Sequence, residues 1–141
     1  MTVVAGVDEA PLSIDVVTRG IEQALWRETD LHVVHVSHYP QVYTDVAIDW
    51  GEVMEAQRKA LWKSLDDVLD APDVHVERVD LEGYPPDTLV DYANEVGASL
   101  LVLGTRGRGE IASLVMGSTS HRAIHIARCD VLVVKNVDTT D

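Results

Sequence analysis

The chain has 141 residues, 46% of them hydrophobic, one cysteine and a formal charge of −13; it can bury one core as one domain, and lone Cys129, which suits packing before the last strand, excludes an internal disulfide. Its 24 acidic residues against 11 basic ones argue against nucleic acid or an anionic membrane as partner. No window approaches the roughly 18 apolar residues of a membrane span, the opening MTVVAGVDEAP lacks the basic n-region of a signal peptide, and the expected location is the cytoplasm.

Val3 to Val7 is a short, mostly β-branched run ending at Asp8, as in a buried parallel strand. Pro11 opens a first helix that runs to Glu28 with Ile14, Val17, Ile21, Ala24 and Leu25 on its inner side. Leu31 to Val36 is the second strand. Its His32 and His35 fall on opposite faces, so they cannot chelate one metal together and read as sheet-margin or partner-bonded groups. Ser37 to Gly51 has no sustained period and carries Tyr39, Tyr43 and Trp50, which suits a long loop that covers the core or lids a ligand.

Val53, Ala56, Gln57, Ala60, Leu61, Ser64, Leu65 and Val68 mark the buried face of a second helix ending near Ala71, with Glu55 and Lys59 paired outside. Val74, Val76 and Val79 lie among charges, as on a sheet-edge strand. Gly83, Pro85 and Pro86 turn the chain into a third helix, where Leu89, Val90, Ala93 and Val96 continue until Gly97 stops it. Leu100 to Leu103 is the fourth strand. Ser118 or Thr119 caps a fourth helix with Ala123, Ile126 and Ala127 inside, and Val131 to Val134 is the fifth strand.

This alternation defines an α/β chain with a single open five-stranded parallel sheet and helices on both faces, because each parallel crossover needs a helix and is right-handed. Ligands bind such sheets beyond the carboxyl ends of the strands, where connections diverge. A strand order of 3-2-1-4-5 sets Asp8 beside Gly104.

Leu100 to Thr119, LLVLGTRGRGEIASLVMGST, reads as a phosphate cradle: a strand stops at glycine, a Gly/Arg loop follows, and Gly-Ser-Thr opens a helix. Arg106, Arg108 and Arg122 concentrate positive charge there; each reads either as a phosphate partner or as a solvated side chain. A Walker A loop is excluded, since none of Lys59, Lys63 and Lys135 follows a glycine. Gly107-Arg-Gly109-Glu-Ile-Ala112 matches the dinucleotide fingerprint, but that fingerprint belongs after a first strand. His121 and His125 share a helix face without a third ligand, so no metal site is assigned.

Gly104-x-x-Gly107, nine residues, then Gly117-Ser118 resembles the G-2x-G-9x-G-(S/T) motif of ATP-binding universal stress proteins. Asp8 after strand one, Gly83-x-Pro85 before helix three and the closing VLVV before Lys135 follow that family's order. The resemblance implies an adenine nucleotide alpha hydrolase-like fold, with residues 1–137 as the universal stress protein domain and 138–141 as a tail. It places Val7 and Asp8 beside the adenosine and the Val36 backbone near adenine. Gly104, Gly107, Gly117, Ser118 and Thr119 would hold ribose and phosphates, with Leu103 and Arg106 also in the nucleotide site. Asp8 reads equally as a cap of helix one. After this aspartate the family commonly has a small residue and a serine, where this chain has Glu9-Ala10. A hydroxyl is missing and a carboxylate is added.

The function so implied is a regulatory, ATP-binding stress protein, with Mg²⁺ accompanying the nucleotide and a homodimer formed through the last strand. No catalytic set is visible. A slow ATP-hydrolysing enzyme on the same site and an interaction module that has lost nucleotide are the alternatives.

Overall fold

A computed structural model of the chain describes residues 1–38, 48–71, 73–105 and 118–135. Five strands, β1 (Thr2–Val7), β2 (Asp30–Ser37), β3 (Val76–Glu82), β4 (Ala98–Gly104) and β5 (Asp130–Val134), alternate with four helices, α1 (Leu12–Arg27), α2 (Trp50–Leu69), α3 (Pro85–Glu95) and α4 (Ser118–Ile126). The sheet is parallel throughout, in the order β3-β2-β1-β4-β5. This is the architecture and strand order expected.

Alternation along each strand divides the core in two. Val3, Ala5, Leu31, Val33, Leu100 and Val102 pack under α1 and α2. Val4, Val34, Leu101 and Leu103 pack under α3 and α4. The central strands are therefore apolar on both faces, whereas β3, at one edge, mixes half-buried and exposed residues and buries none fully. Cys129 packs against the second core, where burial raises its thiol pKa, in keeping with a packing role.

Three details of the helices depart from the sequence reading. Pro11 is the residue before α1, and the buried stripe of that helix runs through Leu12, Val16, Val17, Gly20 and Ala24. Ile14 and Leu25 lie outside it, 46% and 44% exposed. Gly20 sets this rotation: a Cβ there would stand 3.0 Å from Leu31 Cδ1, so the helix rests its bare side on β2.

The second departure is at α2, which begins at Trp50, inside the stretch expected to be loop; Asp49 caps it by accepting from the Glu52 N–H at 3.1 Å. Its inward residues are Met54, Leu61, Trp62, Leu65 and Leu69, while Ala56, Ala60 and Ser64 are exposed. Trp62 accounts for the turn of the face, because its bulk buries apolar surface and its Nε1–H reaches Asp80 of β3 at 3.0 Å. Glu55 stands 4.0 Å from Lys59 as expected, but its shorter pairing is with Arg58, at 2.6 Å. In the third case, α4 begins at Ser118, so Thr119 lies in its first turn.

Candidate functional site

At the carboxyl edge of the sheet β1, β2 and β4 end together, at Val7, Ser37 and Gly104. The chain leaves β1 toward the α1 face and the next described helix after β4, α4, lies on the other, so the connections diverge between these strands. A cleft of about 430 Å³ opens there, within the roughly 300–1,000 Å³ common for small-molecule sites. It is the position at which a doubly wound sheet receives ligands.

One wall is the β1–α1 turn. The Asp8 carboxylate accepts from the Ala10 N–H at 2.8 Å. Ser13 Oγ accepts from the Asp8 N–H at 2.9 Å and lies 2.8 Å from Asp8 O, as donor to that carbonyl, and 3.2 Å from Asp8 Oδ1. Asp8 thus fixes the turn ahead of α1, whose N-cap Pro11 has no side-chain cap bond, so Asp8 is not the cap of that helix, and it also lines the cleft. Ser13 was missed in the sequence. Its signal was a hydroxyl on the buried side of an amphipathic helix.

The floor is Gly104. A Cβ there would come within 2.8 Å of Leu12 Cδ2 and 3.4 Å of Val16 Cγ2, so its bareness admits the α1 side chains. Its carbonyl accepts a hydrogen bond from the Ser120 hydroxyl, which ties the first turn of α4 to the end of β4. Thr119, next to Ser120, lines the cleft, and the positive end of a helix dipole favours an anion there.

The opposite wall is the end of β2. His35 is buried, with Nε2 3.9 Å from Glu9 Oε1 and Nδ1 3.5 Å from Asp80 Oδ1. Asp80 accepts a hydrogen bond from Trp62 Nε1 and pairs in charge with Arg58, whose Nε stands 3.6 Å away. His32, on the other face of β2, pairs its Nδ1 with the Tyr92 hydroxyl at 2.7 Å and faces Glu77 at 3.4 Å. Both histidines are thus partner-facing, on opposite faces. Val36 and Ser37 complete this wall, with Met54 and Gln57 from α2.

Of the residues singled out in the sequence, Val7, Asp8, Val36, Leu103, Gly104 and Thr119 meet in this one cleft. Ser118 begins α4. Arg106, Arg108, Gly107 and Gly117 lie outside the described residues, as do Tyr39, Tyr43 and the tail. Arg122 does not face the cleft as a phosphate partner: its Nε bonds Asp87 Oδ1 of α3 at 3.1 Å. His121 and His125 are exposed, with ring centroids 4.9 Å apart.

A model of the universal stress protein family matches residues 1–135. A universal stress protein of Mycobacterium tuberculosis is 30% identical over 139 residues, which cover 94% of this chain and 45% of that relative. The chain therefore spans about half the length of the mycobacterial relatives it matches. Universal stress protein A homolog 1 of Coxiella burnetii is 29% identical over 139 residues, 94% of each chain. Among solved structures, a universal stress protein in complex with cAMP aligns with a TM-score of 0.72 at 27% identity, over 96% of both chains. With its sheet order, its cleft and this match over nearly its whole length, the chain belongs to the universal stress protein family.

Proposed function

We propose that the chain binds an adenine nucleotide, ATP with Mg²⁺, in the cleft at the ends of β1, β2 and β4, and that occupancy regulates what this stress protein associates with. The observation that carries the reading is the convergence of Val7, Asp8, Val36, Gly104 and Thr119 on one cleft from three strand ends and a helix start. That a similar structure holds cAMP supports an adenine nucleotide as the ligand class. In this reading the Val36 backbone and the apolar Leu103 side receive the base, Asp8 lies by the sugar, and the start of α4 takes the phosphates. Among the described residues no group of three or more His, Cys, Asp or Glu is placed to hold a metal. Magnesium would then ride on the phosphates and water, as it commonly does.

Calorimetric titration of nucleotide-free protein with ATP and AMP, with and without Mg²⁺, tests this. Saturable binding is expected, weakened at least tenfold in Gly117→Val. Folded protein that gives no binding heat, or a variant identical to wild type, would overturn it.

The same reading includes a homodimer through β5. In the single chain β5 is a sheet edge whose Val131, Leu132 and Val133 remain half-buried, and pairing with a second copy would cover them. Light scattering should then report a dimer for wild type and a monomer for Val133→Pro.

A further inference from the structure

Ser37 is the last residue of β2, and its backbone carbonyl is engaged, accepting from the Gly83 N–H at 3.0 Å. Its side chain differs. The residue is 3% exposed, its hydroxyl has no hydrogen-bond partner among the described residues, and it lines the cleft. Ser13, across the cleft and 5% exposed, has its hydroxyl wholly taken up by Asp8. An unmade hydrogen bond on a buried hydroxyl is costly, whereas an alanine in the same place would cost nothing of the kind. His35, two residues earlier on the same strand face, differs: its ring nitrogens face carboxylates, Asp80 at 3.5 Å and Glu9 at 3.9 Å. Beside them stand the buried Met54 and the amide of Gln57. A thioether, a hydroxyl and an amide on one wall match a flat heterocycle that is apolar on its face and polar on its rim.

We propose that Ser37 is a specificity-determining residue whose hydroxyl makes its hydrogen bond to the nucleoside part of the bound nucleotide. The inference rests on the adenine-nucleotide reading above. A hydroxyl both donates and accepts, so it can meet an amino group or a ring nitrogen of adenine. Val36 beside it offers backbone, which any base of that shape can use. Ser37 adds a side chain peculiar to this wall.

The test compares wild type and Ser37→Ala by thermal unfolding without ligand and by calorimetry with AMP and with ATP. The expected result is an unfolding temperature equal to or above wild type, because no hydrogen bond is lost, and affinity lowered about tenfold, equally for both nucleotides. Equal affinity would overturn the proposal, as would a loss confined to ATP, which would put the contact at the phosphates. A fall in unfolding temperature that accompanies the loss of affinity would make Ser37 structural and overturn it too. If wild type binds neither nucleotide, the adenine-nucleotide reading fails and takes this inference with it.

Discussion

The two walls of the cleft use serine in opposite ways. On the β1–α1 side Ser13 and Asp8 complete one another, so that wall is finished in the free protein. On the β2 side the Ser37 hydroxyl is buried with no partner among the described residues. The two serines are almost equally buried, 5% and 3% exposed. The difference separates polar groups that build the turn from polar groups left over for something else, and burial alone does not distinguish them.

The largest expected effect breaks the finished wall from below. Gly104→Val drives a branched side chain into Leu12 and Val16 and should cost about 3 kcal/mol of stability, seen as a lowered midpoint in denaturant unfolding. Asp8→Ala comes next. It strands the Ala10 N–H and takes the carboxylate away from the Ser13 hydroxyl, whose bonds to the Asp8 backbone remain, for about 1.5 kcal/mol by the same measurement. Ser37→Ala, on the other wall, should cost nothing, and a loss comparable to that of Asp8→Ala would erase the distinction between the walls.

The smallest measurable loss concerns the finished pair on the far face of β2. Burial, then Glu77 and Glu95, raise the Tyr92 pKa above its ordinary 10.0. The folded state therefore holds this proton more tightly than the unfolded chain. That stabilisation is complete below the ordinary value and is lost as pH rises through the folded one. Tyr92→Phe loses the bond to His32, about 1 kcal/mol at neutral pH. Its deficit against wild type should shrink above pH 10.0, and a constant deficit from neutral to strongly alkaline pH would contradict the assignment.

Much of this arrangement is legible from residues near one another in sequence. The short apolar runs at Val3, Leu31 and Leu100, and the glycine stop at Gly97, φ +66°, mark elements whose cause is local. The motif spacing brought Gly104 and Thr119 to the same site as Asp8. What escaped is set by long-range contact. The face of α2 depends on Trp62 meeting Asp80 eighteen residues away, and that of α1 on Gly20 lying against Leu31. His35 acquires its surroundings from Glu9 and Asp80, on other elements. Whether a hydroxyl is spent, as at Ser13, or unspent, as at Ser37, depends on neighbours that the sequence does not place.

Backbone amide NMR during an AMP titration tests the central claim most directly. The account predicts saturable shifts clustered at Val7 to Ser13, Val36 and Ser37, Leu103 and Gly104, and Thr119 and Ser120, where three strand ends and α4 meet. Shifts clustered instead at the opposite end of the sheet, around Asn94, Gly97 and Cys129, or none at saturating nucleotide, would contradict it.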